Sequence, residues 1–244
     1  MGINHSVYTV LNSAYMTFGK IFVKSYFKYN NVDCQYFFIL DAGLTDSDKE
    51  WLQKFNKVRI IGSNISTSFK NGNTSADWTK TVVAKTYGLR EIITNYNLTP
   101  IIMIDSDCLV LQNLSSIINK NKDIQICHRK NHVTPMLGSY VCFNKPNLEF
   151  LNKWIDTIPS IPTPWKESPA LGKVYNEFKD KLSIDLIDER IVSCIHKKDV
   201  NNDVKIVHFK SGTAHKTIEE AIEKRIYDRG YKELVEEYLK KEQS

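Results

Sequence analysis

Short apolar runs alternate with stretches of helical periodicity from the start of the chain. Residues 6–11 (SVYTVL) predict a buried strand, and 12–15 a turn. Phe18, Ile21, Phe22, Ser25, Tyr26 and Tyr29 then recur at helical spacing, which predicts a helix over 18–29. Residues 35–40 (QYFFIL) predict a second strand, followed by the turn Asp41-Ala42-Gly43. Thr45-x-x-Asp48 opens a short helix to about 55 as a capping box, and 57–61 (KVRII) predict a third strand. This β-α-β-α-β order implies a parallel sheet joined by helical crossovers.

The polar stretch 62–78 is long for a connector and predicts either a mobile or a functional loop. A helix over 81–96 carries Lys85, and the apolar strand 101–104 runs directly into Asp105-Ser106-Asp107. Further strands are predicted at 124–129 and 138–144, and a helix at 148–158. Residues 158–169 hold Pro159, Pro162, Pro164 and Pro169, a composition that predicts a stiff, non-helical loop over a site. Asp188 and Glu189 fall within the segment 184–195, and a last short strand spans 205–209. Thr217-x-x-Glu220 caps a C-terminal helical region that breaks at Gly230. The division expected is a main domain over 1–216 and a helical extension over 217–244 packed on it. The stripe Tyr231, Leu234, Val235, Tyr238 and Leu239 is the packing face of that extension.

Composition narrows the class. A chain of 244 residues with 42% hydrophobic content can bury a sizeable core. The net charge of +5 is scattered rather than blocked, so no nucleic-acid footprint is read. No apolar run is long enough for a membrane span, and the N-terminus lacks the pattern of a signal peptide. Five cysteines with no CxxC pair read as reduced, buried side chains of a cytoplasmic protein. Oligomeric state leaves no mark in the sequence.

Candidate chemistry centres on Asp105 and Asp107. Spacing i, i+2 at a strand end puts two carboxylates on one side of the chain, beyond the carboxyl edge where open α/β sheets bind ligands. Two such carboxylates repel each other unless a cation lies between them, and a divalent ion can also hold a phosphate. His208, at the end of the last strand, could add the nitrogen of a mixed N/O ligand set suited to Mn2+. Lys210, Gly212, His215 and Lys216 follow, with lysines able to supply point charge to phosphate. Tyr15, after the first strand, offers a face for stacking a base. Each feature also has a plain structural explanation: a solvated turn, a hydrogen-bonded histidine, a packing tyrosine, a basic loop.

Together these residues resemble a known family. The segments 10–15 (VLNSAY), 41–45 (DAGLT) and 104–114 (IDSDCLVLQNL), with Lys85, Asp188-Glu189 and His208-Phe209, look like retaining glycosyltransferases of the GT-A fold, nearest to family 8, the glycogenin and lipopolysaccharide galactosyltransferase group. The resemblance implies an α/β GT-A fold, Rossmann-like, with a mostly parallel sheet flanked by helices. It implies metal-dependent transfer of a hexose from a UDP-sugar to a hydroxyl of a glycan, lipid-linked or protein acceptor, with retention. By the same resemblance, Leu11, Asn12 and Tyr15 hold the nucleoside, and Lys85 contacts donor phosphate or sugar. Asp105, Asp107 and His208 hold Mn2+ or Mg2+, with Ser106 near the ribose. Asp188 lies beside the donor sugar. Glu189 stands where the family often has Gln, as a candidate base or nucleophile or the mark of a different sugar. Lys210 and Lys216 both remain candidates for the diphosphate. Two other readings are a phosphatase of the haloacid-dehalogenase type with Asp105 as nucleophile, and a nucleotide-sugar-binding protein without turnover.

Overall fold

The computed structural model describes residues 2–63, 76–163, 166–210, 215 and 217–240. Most of the polar stretch 62–78, together with Pro164, Gly212 and Lys216, therefore lies outside the described residues.

The opening pattern folds as its periodicity predicts. Strand β1 (His5–Leu11) leads to helix α1 (Met16–Asn30), β2 (Cys34–Asp41), α2 (Asp46–Gln53) and β3 (Val58–Ile61). Thr45 and Asp48 close the expected capping box at the start of α2. After α3 (Ala76–Tyr96) come β4 (Ile101–Ile104), the short β5 (Cys108–Val110), β6 (Ile124–His128) and β7 (Met136–Phe143). Helices α4 (Leu148–Thr157) and α5 (Glu167–Phe178) precede β8 (Ile184–Asp188), the one-turn α6 (Glu189–Val192) and β9 (Ile206–His208). The chain closes with α7 (Ile218–Ile222), a π-helical turn (Glu223–Tyr227) and α8 (Lys232–Leu239). Thr217 caps α7 as expected, and Gly230, at φ 76°, interrupts the helical run.

Seven strands form one sheet in the order β3-β2-β1-β4-β7-β6-β8. All its pairings are parallel except those of β7, which runs antiparallel to β4 and β6. Strand order reverses direction between β1 and β4, which makes their carboxyl ends a topological switch point. β5 and β9 form a separate antiparallel ribbon.

Both sheet faces are covered, which explains why the strands read as continuous apolar runs. Tyr8, Phe38, Ile101 and Met103 face the core under α3, α4 and α5. Val7, Phe37, Ile102 and Ile104 face the core under α1 and α2. A third cluster joins Phe18 and Ile21 of α1 to Leu109, Val207 and Phe209 of the ribbon, and to Tyr231, Val235 and Tyr238. The C-terminal stripe is thus a packing face. The five cysteines are free and buried, and no helix among the described residues is long and apolar enough to cross a membrane.

The proline-rich segment corrects one expectation. Residues 158–160 form a single 3-10 turn, and α5 begins at Glu167 with Pro169 inside its first turn. First-turn N–H groups have no intrahelical acceptor, so proline loses nothing there. The sequence reading overlooked this helix.

Candidate active site

Four loops and one strand start meet at the same sheet edge. β1, β4, β6 and β8 all end there, and β7, being antiparallel, begins there. β4 ends at Ile104, so Asp105 leaves the sheet at the switch point, its N–H donating to Ser139 O at 3.3 Å. Two residues on, Asp107 enters the β5–β9 ribbon, where its carbonyl accepts from Phe209 N at 2.8 Å. The ribbon register sets Cys108 opposite His208, and so carries a histidine about 100 residues away in sequence back to the carboxylate pair.

His208 is the point on which both carboxylates converge. Its Nε2 lies 3.2 Å from Asp107 Oδ1 and 3.6 Å from Asp105 Oδ2. The other ring nitrogen, Nδ1, is 2.9 Å from Ser193 Oγ, which donates or accepts according to the tautomer; Ser139 Oγ lies 3.1 Å from Ser193 Oγ. A partner on Nδ1 fixes the ring and aims Nε2 at the carboxylates, an arrangement common to metal-binding histidines. Asp107, Cys108 and His208 also each bring a ligand atom within 4.8 Å of the others. Burial and the two neighbouring carboxylates push the Cys108 thiol well above its ordinary value, so it is a poor thiolate. Two carboxylates and an imidazole suit Mn2+ better than Mg2+, whereas a thiolate would favour a softer ion.

Each carboxylate has its own cation. Lys85, buried on α3, donates to Asp105 Oδ1 at 2.6 Å and to Gly138 O at 3.0 Å. Its ammonium also forms an ion pair with Glu167 Oε1 at 2.7 Å. Burial alone would lower the lysine's pKa, but Asp105 and Glu167 outweigh it and hold the ammonium charged. Arg225, from the π-helical turn, is only 2% exposed and reaches Asp107 Oδ2 at 3.2 Å. Burial would raise the Asp107 carboxyl, but His208 and Arg225 hold it well below the usual carboxylate range.

The remaining expected residues are placed as follows. Leu11 is core, and Asn12 caps the turn after β1 by accepting from Tyr15 N at 3.0 Å. Tyr15 stacks at a tilt on Phe18, and the Arg225 guanidinium lies 5.9 Å from its ring centre. Ser13 bonds Gly43 O and Asp48, tying the loop after β1 to the loop after β2. Ser106 is half-buried between the two carboxylates. Lys210 is half-buried too; burial lowers its pKa, Arg129 adds to that, and Asp105 and Asp107 oppose it. Glu189 is held by Arg129 at 2.9 Å. Asp188 caps α6 and pairs with the exposed Arg190 at 2.6 Å, so its carboxylate is not joined to the Asp105–Asp107 cluster. Lys216 lies outside the described residues.

Four contributors escaped the sequence reading. Arg225 lies in an ordinary-looking charged helix, and Glu167 within a proline-rich stretch. Ser193 and Arg129 belong to no motif. The one available signal was negative: two carboxylates and a histidine called for buried cations, and Lys85 alone could not supply both.

No protein-family model matches the sequence, and no curated protein matches it. Solved structures do match in fold. One is the galactosyltransferase LgtC in complex with donor and acceptor sugar analogs, at 12% identity and TM-score 0.57, covering 98% of both chains. Another is the glycosyltransferase GlyE of Streptococcus pneumoniae TIGR4, at 13% identity and TM-score 0.63, covering 98% of this chain and 61% of that one. The fold is therefore the GT-A fold of glycosyltransferases, as the resemblance to family 8 implied.

Proposed function

We propose that this protein is a glycosyltransferase that moves a hexose from a UDP-sugar to a hydroxyl of a glycan, lipid-linked or protein acceptor, with retention at the sugar carbon. The observation that carries this reading is the convergence of Asp105 and Asp107 on His208 Nε2 at the switch point of a GT-A sheet. Asp105, Asp107 and His208 are the residues that would hold Mn2+ or Mg2+. A divalent ion there stabilises charge on the departing diphosphate.

The chain's own residues divide the remaining work. Asn12 and Tyr15, on the loop after β1 that Ser13 ties to the loop after β2, receive the nucleoside, with Leu11 fixing the start of that turn from the core. Ser106 lies beside the ribose. Lys210 supplies charge to the diphosphate, with Lys216 as a second lysine in the sequence. Lys85, surrounded by three protein oxygens, acts mainly on Asp105 and only secondarily on the donor. Asp188 and Glu189 serve the donor sugar. Arg129 fixes the orientation of Glu189, the carboxylate better suited to support the sugar carbon as the bond to phosphate breaks.

The test is hydrolysis and transfer from UDP-glucose, UDP-galactose, UDP-GlcNAc and GDP-mannose, with and without Mn2+, in the unaltered protein and in Asp107→Ala and His208→Ala. Metal-dependent sugar release lost in both variants is expected. Unchanged turnover in both overturns the metal assignment. Metal-dependent UDP binding with no sugar release across the panel would favour a binding protein over an enzyme.

A further inference from the structure

We propose that Glu167 is a positioning residue for Asp105, acting through Lys85, and that Gly138 is glycine to admit its carboxylate. The inference rests on the reading of Asp105 as a metal-holding carboxylate.

Three observations converge. First, Glu167 is buried in the first turn of α5 with its carbonyl fixed by Trp154 Nε1 at 3.0 Å, and among the described residues its carboxylate forms an ion pair with Lys85 alone. A buried carboxylate is costly, and Lys85 already has Asp105 at 2.6 Å. A second acid on the same ammonium therefore calls for a role beyond pairing.

Second, Gly138 sits inside β7, where glycine weakens a strand and often marks a close approach. A Cβ built there runs into the Glu167 carboxylate. The same residue gives its carbonyl to Lys85 at 3.0 Å and its N–H to Ser168 Oγ at 3.2 Å. Strand β7 and the start of α5 are thus fitted around one ammonium.

Third, charge accounting gives Glu167 a purpose. Lys85 offsets Asp105, and Arg225 offsets Asp107, so these four alone sum to zero. Lys210 adds a further positive charge in the field of both carboxylates. Without Glu167 the full charge of the Lys85 ammonium falls on Asp105 and competes with a divalent cation for that carboxylate. With it, Lys85 is shared between two acids, and Asp105 is held in place without being fully neutralised.

The test is Mn2+ binding followed by the electron paramagnetic resonance of free ion, at pH 8 and without donor, with thermal melting to monitor the fold. Glu167→Gln is expected to weaken Mn2+ binding by about 10-fold, the low end of the range seen for residues that orient metal ligands. Gly138→Ala keeps the charge but displaces it, and is expected to act in the same direction. In a Lys85→Met background Glu167→Gln is expected to change affinity by less than about 2-fold, because the route through the ammonium is gone. Affinity unchanged in both Glu167→Gln and Gly138→Ala overturns the role. So does an equal loss in both Lys85 backgrounds, which marks a through-space charge instead. Binding that Asp107→Asn abolishes but Glu167→Gln leaves intact defeats the Glu167 inference while keeping the metal reading. No Mn2+ binding by the unaltered protein, with or without UDP, defeats both.

Discussion

The surroundings of Asp105 and of Asp107 differ although only Ser106 separates them. Asp105 is tied to the sheet core: its cation comes from α3, and that cation is shared with Glu167 of α5. Asp107 is tied to the far end of the chain: its partners are His208 on the ribbon and Arg225 in the π-helical turn. One carboxylate has a cation with a second acid in reserve. The other is the sole carboxylate within ion-pair distance of its arginine among the described residues. A site built this way answers to two parts of the fold at once, and damage to either carboxylate should have unequal consequences.

The largest contrast is expected between Asp107→Asn and Asp105→Asn. The first strands a buried guanidinium and should cost about 3 kcal/mol in urea unfolding. The second leaves Lys85 with Glu167 and should cost about 1 kcal/mol. Equal destabilisation would break the comparison. Metal-dependent turnover should fall by about 100-fold or more in both, since each removes a charge from the proposed diphosphate site.

Next in size is Ser193→Ala. It removes the Nδ1 partner of His208 and should lower metal affinity by about 10-fold with little change in melting temperature. A loss of stability with metal affinity intact would reassign Ser193 to packing.

The two sides should also respond to pH with opposite signs. Burial pushes the Glu167 carboxyl from 4.5 up to about 7, against the pull of Lys85 and with Asp105 adding to the rise; Lys210 also pulls it down. Tyr8, under the same face, feels the Glu167 charge. The folded state thus holds a proton longer than the unfolded one, and this contribution is full below 4.5 and lost as pH rises to about 7. Asp107 is depressed below 3.8, so its contribution is full above that value and lost as pH falls through the acid range. Glu167→Gln should flatten the melting-temperature profile on the neutral side only. A flattened acid limb would contradict the assignment.

The smallest effect is expected far from both sides. Lys28 and Glu237 join α1 to α8 through an exposed pair at 2.7 Å. Lys28→Ala should change stability by less than about 1 kcal/mol and leave metal binding untouched.

The half of the molecule that holds Asp105 was the easier to read. Strands β1 to β4 and helices α1 and α2 announce themselves by strong periodicity and by the Thr45–Asp48 box. α5 did not, because Pro159, Pro162 and Pro169 outweighed the apolar spacing of Ala170, Leu171, Val174 and Phe178 that follows. Proline is a breaker only where an N–H is needed, and position in the helix decides that. Of the site, Asp105, Asp107, Lys85 and His208 were legible as residue types at suggestive places. Their partners were not, since Arg225 and Glu167 look like any other solvated helix charge until packing buries them.

The sequence by itself determined the alternation of strands and helices, the carboxylate pair at a strand end, and the histidine at another. Periodicity and local turn chemistry act over a few residues, so they survive in the one-dimensional pattern. Only the tertiary structure decided which cation faces which carboxylate. It also decided that Nε2 of His208 meets both acids, and that Glu167 stands behind Lys85 in the space a glycine leaves. Those choices depend on the β5–β9 register, the antiparallel turn of β7 and the packing of the C-terminal helices, contacts between residues far apart in the chain that no local pattern encodes.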